Sequence, residues 1–85
     1  MQIEILTPEK KLFAGNAYGI QLPGVGGSFE VLEKHAPMVS ALRNGVVKIL
    51  LDKSGKNNNA YTIKGGFIEV LDNKVTVLLE GVTAS

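Results

Sequence analysis

Short runs of β-forming residues recur along the whole chain at intervals of about 8 to 12 residues, with turn-forming residues between them. This spacing is typical of a β-sandwich or β-barrel, and no segment sustains the apolar periodicity of a helix. A chain of 85 residues has room for one such domain. The sequence therefore predicts a single all-β domain with little helix.

Alternation within the runs predicts which side chains face the core. In Lys74–Glu80 every second residue is Val or Leu, so one face of the strand is buried, and Leu78 makes the opposite face partly apolar. The predicted strands are Gln2–Leu6, Lys11–Phe13, Tyr18–Leu22, Ser28–Leu32, Val39–Leu42, Gly45–Leu51, Ala60–Lys64, Phe67–Leu71 and Lys74–Glu80.

Two short motifs define how the last strands begin. Asp72-Asn73 tolerates the positive φ angles of a type I′ turn, which predicts a tight hairpin between the two final strands. Gly65-Gly66 indicates a bulge, a bend or close backbone packing. We expect Phe67 to lie in the core behind that bend.

Charge and composition exclude several functions. The formal net charge is +1 and the basic residues form no stripe, so the electrostatic footprint of a nucleic-acid-binding protein is missing. The lack of cysteine excludes disulfides, zinc–thiolate sites and thiol nucleophiles. No apolar run approaches the ~20 residues of a membrane span, so we expect no direct membrane insertion.

The single histidine, His35, is the most obvious candidate for catalysis. Catalysis by one histidine also needs a nucleophile, a metal or a carboxylate in place, and the sequence offers only Glu33 nearby. Ala36-Pro37 directly after it favours a rigid corner, although Pro37 is also suited to open a single helical turn. We interpret His35 as a loop-shaping or interfacial residue.

The glycine-rich stretch Pro23–Ser28 resembles a phosphate-binding loop only superficially. It lacks the Gly-Lys-Ser/Thr ending, and the β-rich run after it provides no helix N-terminus for an anion. Glycines that allow the backbone of another chain to approach closely are the better interpretation.

Lys74 invites comparison with lipoyl or biotinyl carrier domains, in which a modified lysine lies at a hairpin tip near the middle of the domain. Here the lysine lies just past the predicted Asp72-Asn73 turn and close to the end of the chain. A solvated strand residue is the simpler interpretation, and a carrier domain is the alternative function.

Several longer segments, taken in order, resemble one known family. They are ILTPEKKLFAG, LPGVGGSFEVLEKHAPMVSAL, GVVKI and GGFIEVLDNKVTVL, and together they cover nearly all of residues 2–80. The Thr-Pro-Glu opening, the His-Ala-Pro unit and the Gly-Gly-Phe strand entry are the most specific elements. The chain is similar to the N-terminal β-sandwich of the epsilon subunits of F-type ATP synthases.

The resemblance implies a fold and a function. The fold is a flattened two-sheet β-sandwich of about ten short strands. The function is that of a non-catalytic subunit of the central stalk, which joins the gamma subunit to the c subunits of the membrane rotor ring and couples ion flow to ATP synthesis. The family needs no catalytic residue, cofactor, metal or small-molecule substrate in this subunit. As part of the ATP synthase, the subunit would lie peripherally at the cytoplasmic face of the bacterial plasma membrane.

The resemblance also implies a site. The loop Gly24–Phe29 matches the family loop that meets the rotor ring, and His35–Pro37 matches a second loop, which we expect at the same end of the molecule. The gamma contact lies on a sheet face that the sequence does not identify. The residues expected at the ring are Gly24, Val25, Gly26, Gly27, Ser28, Phe29, Glu33, Lys34, His35, Ala36 and Pro37.

This chain departs from the family pattern in its charges. Ser28 replaces a residue that is commonly acidic, whereas Glu30, Glu33 and Lys34 replace small or turn-forming residues. We therefore expect the charge at the ring-facing surface to be redistributed.

The second departure is in length. Many family members continue into an α-helical hairpin that inhibits ATP hydrolysis. Residues 1–85 contain no part of that hairpin. A naturally short form and a domain taken from a longer protein are both open interpretations. A short form should not inhibit hydrolysis by hairpin insertion.

Overall fold

The computed structural model describes residues 1–84, which contain ten strands and no helix. The all-β prediction is confirmed. The strands are β1 (Gln2–Leu6), β2 (Lys11–Asn16), β3 (Gly19–Gly24), β4 (Gly27–Leu32), β5 (Met38–Leu42), β6 (Gly45–Leu50), β7 (Asn58–Ile63), β8 (Gly65–Leu71), β9 (Lys74–Glu80) and β10 (Thr83–Ala84). The predicted bounds of β1 and β9 agree with the structure, the others differ at one or both ends, and β10 was not predicted.

The strands form one hydrogen-bonded path that folds over into two layers. Sheet A has the order β4-β3-β6-β7-β10, and sheet B has the order β5-β8-β9-β1-β2. The two sheets are joined where Gly24 of β3 pairs with Leu42 of β5. Neighbouring strands are antiparallel except β1 and β9, which run parallel. This arrangement is the two-sheet sandwich that the sequence predicted.

Both sheets contribute to one apolar core. The inward residues of β9 are Val75, Val77 and Leu79, each at most 1% exposed, and β1 adds Ile3 and Ile5. Burying each such side chain contributes roughly 2 kcal/mol. Within residues 1–84 no polar or charged side chain is fully buried, so packing of aliphatic side chains holds the sheets together.

Two predictions about the turns are confirmed. Asp72 and Asn73 have φ angles of 51° and 61°, as a type I′ turn requires, and Leu71 pairs with Lys74 across the hairpin. Gly66 has a φ of 156°, and a Cβ atom at this position would overlap the carbonyl oxygen of Leu78. The Gly-Gly entry to β8 is therefore a point of close backbone packing between β8 and β9.

Two expectations for single residues are wrong. Phe67 is 53% exposed, because the alternation of β8 turns Ile68 and Val70 into the core and Phe67 outward. Pro37 opens no helical turn, because the residues after it form β5 and pair with β8 from Met38 onward.

Candidate functional site

The first candidate loop is the two-residue turn of the β3–β4 hairpin. Gly24 pairs with Gly27, and Val25 at the tip is 63% exposed. A Cβ on Gly24 would lie 2.8 Å from the ring of Phe29, so glycine lets this ring pack against the backbone of its own hairpin. A strand follows the turn, so the phosphate-loop alternative has no helix N-terminus to use.

The second candidate loop connects β4 to β5. His35 closes a turn by donating its N–H to the carbonyl oxygen of Leu32 at 3.2 Å, and Lys34 within that turn has a φ of 64°. The side-chain oxygen of Asn73 accepts a hydrogen bond from the N–H of Lys34 at 3.1 Å. Asn73 thereby ties this loop to the β8–β9 turn.

His35 itself shapes the loop. It is exposed, and its Nδ1 donates a hydrogen bond to the carbonyl oxygen of Ala36 at 2.8 Å. Among the described residues, no three histidine or acidic side chains lie close enough together to hold a metal. The structure thus gives His35 a local contact with the backbone of its own loop.

The expectation that the two loops lie at the same end is wrong. They flank β4, whose six residues span about 20 Å, so the β3–β4 turn lies at one end of this strand and the Glu33–Pro37 loop at the other. What they share is an edge, because β4 pairs only with β3 and forms one border of sheet A. We call β4 and its two flanking loops the β4 edge.

The outer surface of sheet B carries an apolar patch that the sequence analysis did not identify. Phe67 and Leu78 are opposite each other on β8 and β9 and are 53% and 51% exposed. Leu71, on the same side of β8, is 50% exposed, and Val39 on the adjacent β5 is 71% exposed. We call these four residues the apolar face.

The outer surface of sheet A has a different character. Its centre is polar, with the side-chain amide of Gln21 donating a hydrogen bond to the Glu30 carboxylate at 2.8 Å. Val46, 48% exposed, is the most exposed large apolar residue in the strands of this sheet as far as the structure describes them. The two outer surfaces therefore differ enough to bind different partners.

The sequence contained a signal for the apolar face, but an ambiguous one. Phe67 shares its side of β8 with Glu69, whose charge favours exposure of that side. Phe67 and Leu71 also make this side largely apolar, so the alternation gave only a weak signal. Leu78 was a second clue, because it interrupts the polar side of β9.

One ion pair lies beside the apolar face. Lys11 on β2 contacts Glu4 on β1 at 3.0 Å, and this hydrogen bond and charge lower the pKa of the Glu4 carboxyl. The pair contributes little to stability because both groups are solvated. It gives this border of sheet B a polar rim.

An exposed apolar patch on the outer face of a β-sandwich is typical of a domain that binds another protein. The family model described as ATP synthase, Delta/Epsilon chain, beta-sandwich domain matches residues 1–85. The chain belongs to this family, whose members are non-catalytic stalk subunits of the rotary ATP synthase.

Relatives of known name agree with this assignment. The chain is 40% identical to the ATP synthase epsilon chain of Salinibacter ruber, and the match covers 96% of this chain and 59% of that protein. It is 38% identical to the epsilon chain of Chlorobium limicola, where the coverage is 96% and 91%. The chain thus spans a little over half of the first relative and most of the second.

Solved structures agree on the fold. A chain from the central stalk and c-ring of Tetrahymena thermophila mitochondrial ATP synthase superposes with a TM-score of 0.80 at 19% identity, covering 98% of this chain and 65% of that one. A chain from the Euglena gracilis mitochondrial ATP synthase gives a TM-score of 0.85 at 20% identity, covering 96% and 51%.

Proposed function

We propose that this domain is a non-catalytic part of the rotor of an F-type ATP synthase, joining the gamma subunit to the c subunits of the membrane ring. The observation that carries the proposal is the apolar face on sheet B. An exposed patch of large aliphatic and aromatic side chains is what a permanent protein interface requires, whereas the outer surface of sheet A is polar at its centre.

We assign the apolar face to gamma. A rotor joint that carries torque needs an interface that stays associated during rotation, and apolar contacts rimmed by polar groups meet this need. Phe67 is the natural anchor, because aromatic side chains at the centre of an interface contribute most to affinity.

We assign the β4 edge to the ring. Most of its exposed residues are polar or charged. They are Ser28, Glu30, Glu33 and Lys34, and the apolar Val25 and Leu32 are exposed with them. Such a surface suits contact with the polar loops of a membrane ring better than with a permanent apolar partner. The two loops at either end of β4 would then contact different c subunits or different parts of one.

The same proposal covers location and regulation. As part of this complex, the domain would lie peripherally at the cytoplasmic face of a bacterial plasma membrane, and residues 1–84 include no helix with the length and hydropathy of a membrane span. No inhibitory helical hairpin is formed by these residues either, so we propose that this domain on its own does not inhibit ATP hydrolysis.

No observation favours the carrier-domain alternative. Lys74 is the first residue of β9 and pairs with Leu71 at the base of the hairpin, while Asp72 and Asn73 form its tip. A ligase that modifies a hairpin-tip lysine would not find it presented there.

Binding to purified gamma tests the apolar face. The chain should bind gamma, and Phe67→Asp or Val39→Asp should weaken the dissociation constant by about 10-fold or more, because each puts a charge into an apolar contact. Val46→Asp, a matched change on sheet A, should bind like the wild type. Equal affinity of all four proteins would exclude the apolar face as the gamma contact.

A further inference from the structure

Glu69 lies in the middle of the apolar face. On β8 it points to the same side as Phe67 and Leu71, which precede and follow it by two positions. Across the sheet it is opposite Val39 on one side and Thr76 on the other. An ionisable carboxylate therefore has apolar neighbours on three sides and Thr76 on the fourth, on a surface that otherwise favours an apolar partner.

The surface around Glu69 is shaped for a partner to cover it. Val39 and Glu69 together form a ridge between two shallow depressions. One of about 240 Å³ also involves Phe67, Thr76 and Leu78. The other, of about 270 Å³, lies on the opposite side of the ridge, towards Pro37 and Leu71. A partner that fills both depressions must also bury the Glu69 carboxylate.

Burying this carboxylate requires a cation from the partner. Within residues 1–84 the only salt bridge joins Lys11 to Glu4, so no lysine or arginine of this chain neutralises Glu69. An unpaired carboxylate is expensive to remove from water, whereas a pair with good geometry is tolerated at an interface. A second copy of this chain is a poor occupant, because two-fold packing of the face would bring two Glu69 carboxylates together.

We propose that Glu69 determines partner specificity on this face by pairing with a lysine or arginine that the gamma subunit presents between two apolar contacts. The inference rests on the proposed docking of gamma to the apolar face. Arginine fits best, since its planar guanidinium can form two hydrogen bonds with one carboxylate. The apolar residues supply affinity, and Glu69 fixes the register and rejects partners that lack the cation.

The test measures binding of the whole chain to purified gamma over a range of salt concentrations. We expect Glu69→Gln to weaken binding by about 10-fold or more, and Glu69→Lys to weaken it further because it opposes the partner cation. Glu69→Gln should also reduce the salt dependence of the affinity. Glu30→Gln, a matched change on sheet A, should alter neither quantity.

The outcomes separate this inference from the proposed function. If Glu69→Gln and Glu69→Lys bind like the wild type while Phe67→Asp loses binding, gamma docks on the face but no cation meets Glu69, and the inference is wrong. If Phe67→Asp also binds normally, the docking proposal itself fails. Because Glu69 and Phe67 are both exposed in the free chain, circular dichroism and urea unfolding should show that the two Glu69 variants and Phe67→Asp are folded.

Discussion

At the scale of single residues, unusual backbone angles lie directly beside both proposed contact surfaces. Lys34 adopts a φ of 64° in the loop at one end of β4. A non-glycine residue in this region costs roughly 1 kcal/mol, and the hydrogen bond from its N–H to Asn73 helps to offset that strain. Gly66 immediately precedes Phe67 of the apolar face. Backbone geometry therefore positions side chains at both surfaces.

Gly66→Ala should destabilise the domain by about 3 kcal/mol or more, because the new Cβ would overlap the Leu78 carbonyl at a φ that side chains disfavour. Gly26→Ala is the matched control, since nothing lies within 4 Å of the added atom, and it should change stability by less than about 0.5 kcal/mol. Urea unfolding measures both changes. Similar free energies of unfolding for the two variants would show that β8 and β9 can separate at no cost.

Local chemistry decided which of these residues could be predicted. Asp72-Asn73 and Gly66 have φ angles that few residue types adopt, so residue identity alone indicated a turn and a close approach. Phe67 could not be assigned from its own identity. Its direction depends on which side of β8 meets sheet A, and the clue to that side was Glu69, two positions further along the same strand.

At the scale of elements, the connection between β6 and β7 is organised by one carboxylate. Asp52 accepts hydrogen bonds from the hydroxyl and the N–H of Ser54, and the bond from the hydroxyl is the main cause that lowers the pKa of the Asp52 carboxyl. Asn58 donates its side-chain N–H to the carbonyl oxygen of Gly55 at 2.8 Å on the other side of the loop. The polar tract between these strands is thus a hydrogen-bonded hairpin loop.

This loop should respond to pH. Because the folded-state pKa of Asp52 is lowered, its stabilising effect is present above the unfolded-state pKa of about 4 and is lost as the pH falls through the folded-state value. Asp52→Asn should therefore lower the urea midpoint near neutral pH, and its difference from the wild type should shrink in acid. Ser54→Ala should show the same trend. If the difference in urea midpoint between these variants and the wild type stayed constant across this pH range, the charged Asp52 carboxylate would not be what stabilises the loop.

The β4 edge shows how strand geometry corrected a prediction about elements. The residue pattern predicted a strand at Ser28–Leu32. The family resemblance nevertheless led us to expect the loops on either side of this strand at the same end of the molecule. A strand of this length separates its two ends, so only an edge can present both loops to one partner. β5 then continues from the second loop into sheet B, where its Val39 belongs to the apolar face. One short strand thus joins the two proposed surfaces.

At the scale of the whole molecule, the charges on the β4 edge should tune its contact with the ring. Glu33→Lys or Lys34→Glu should weaken assembly with the c-ring, and the effect should diminish at high salt because the contact is electrostatic and exposed. Lys10→Glu is the control, since Lys10 lines a depression with Tyr61 and Val82, away from the β4 edge. The measurement is recovery of the chain with the purified ring and gamma.

Unchanged recovery of Glu33→Lys and Lys34→Glu at low salt would show that these charges do not contribute to the contact with the ring. Loss of recovery with Lys10→Glu as well would point to a general effect of charge instead of a contact at this edge. Binding to gamma alone should be the same for all three variants, because none of the changes lies on the apolar face.

The parallel pairing of β1 with β9 has a consequence for biosynthesis. Gln2–Leu6 are made long before Lys74–Leu78, and yet these two segments are neighbours in sheet B. The first strand must therefore wait, unpaired on that side, until β9 has been synthesised. A nascent chain that stalls before β9 would expose the edges of β1 and β8 together. We infer that this small domain completes its fold only once translation has passed Glu80, and that it depends on this late step to avoid aggregation.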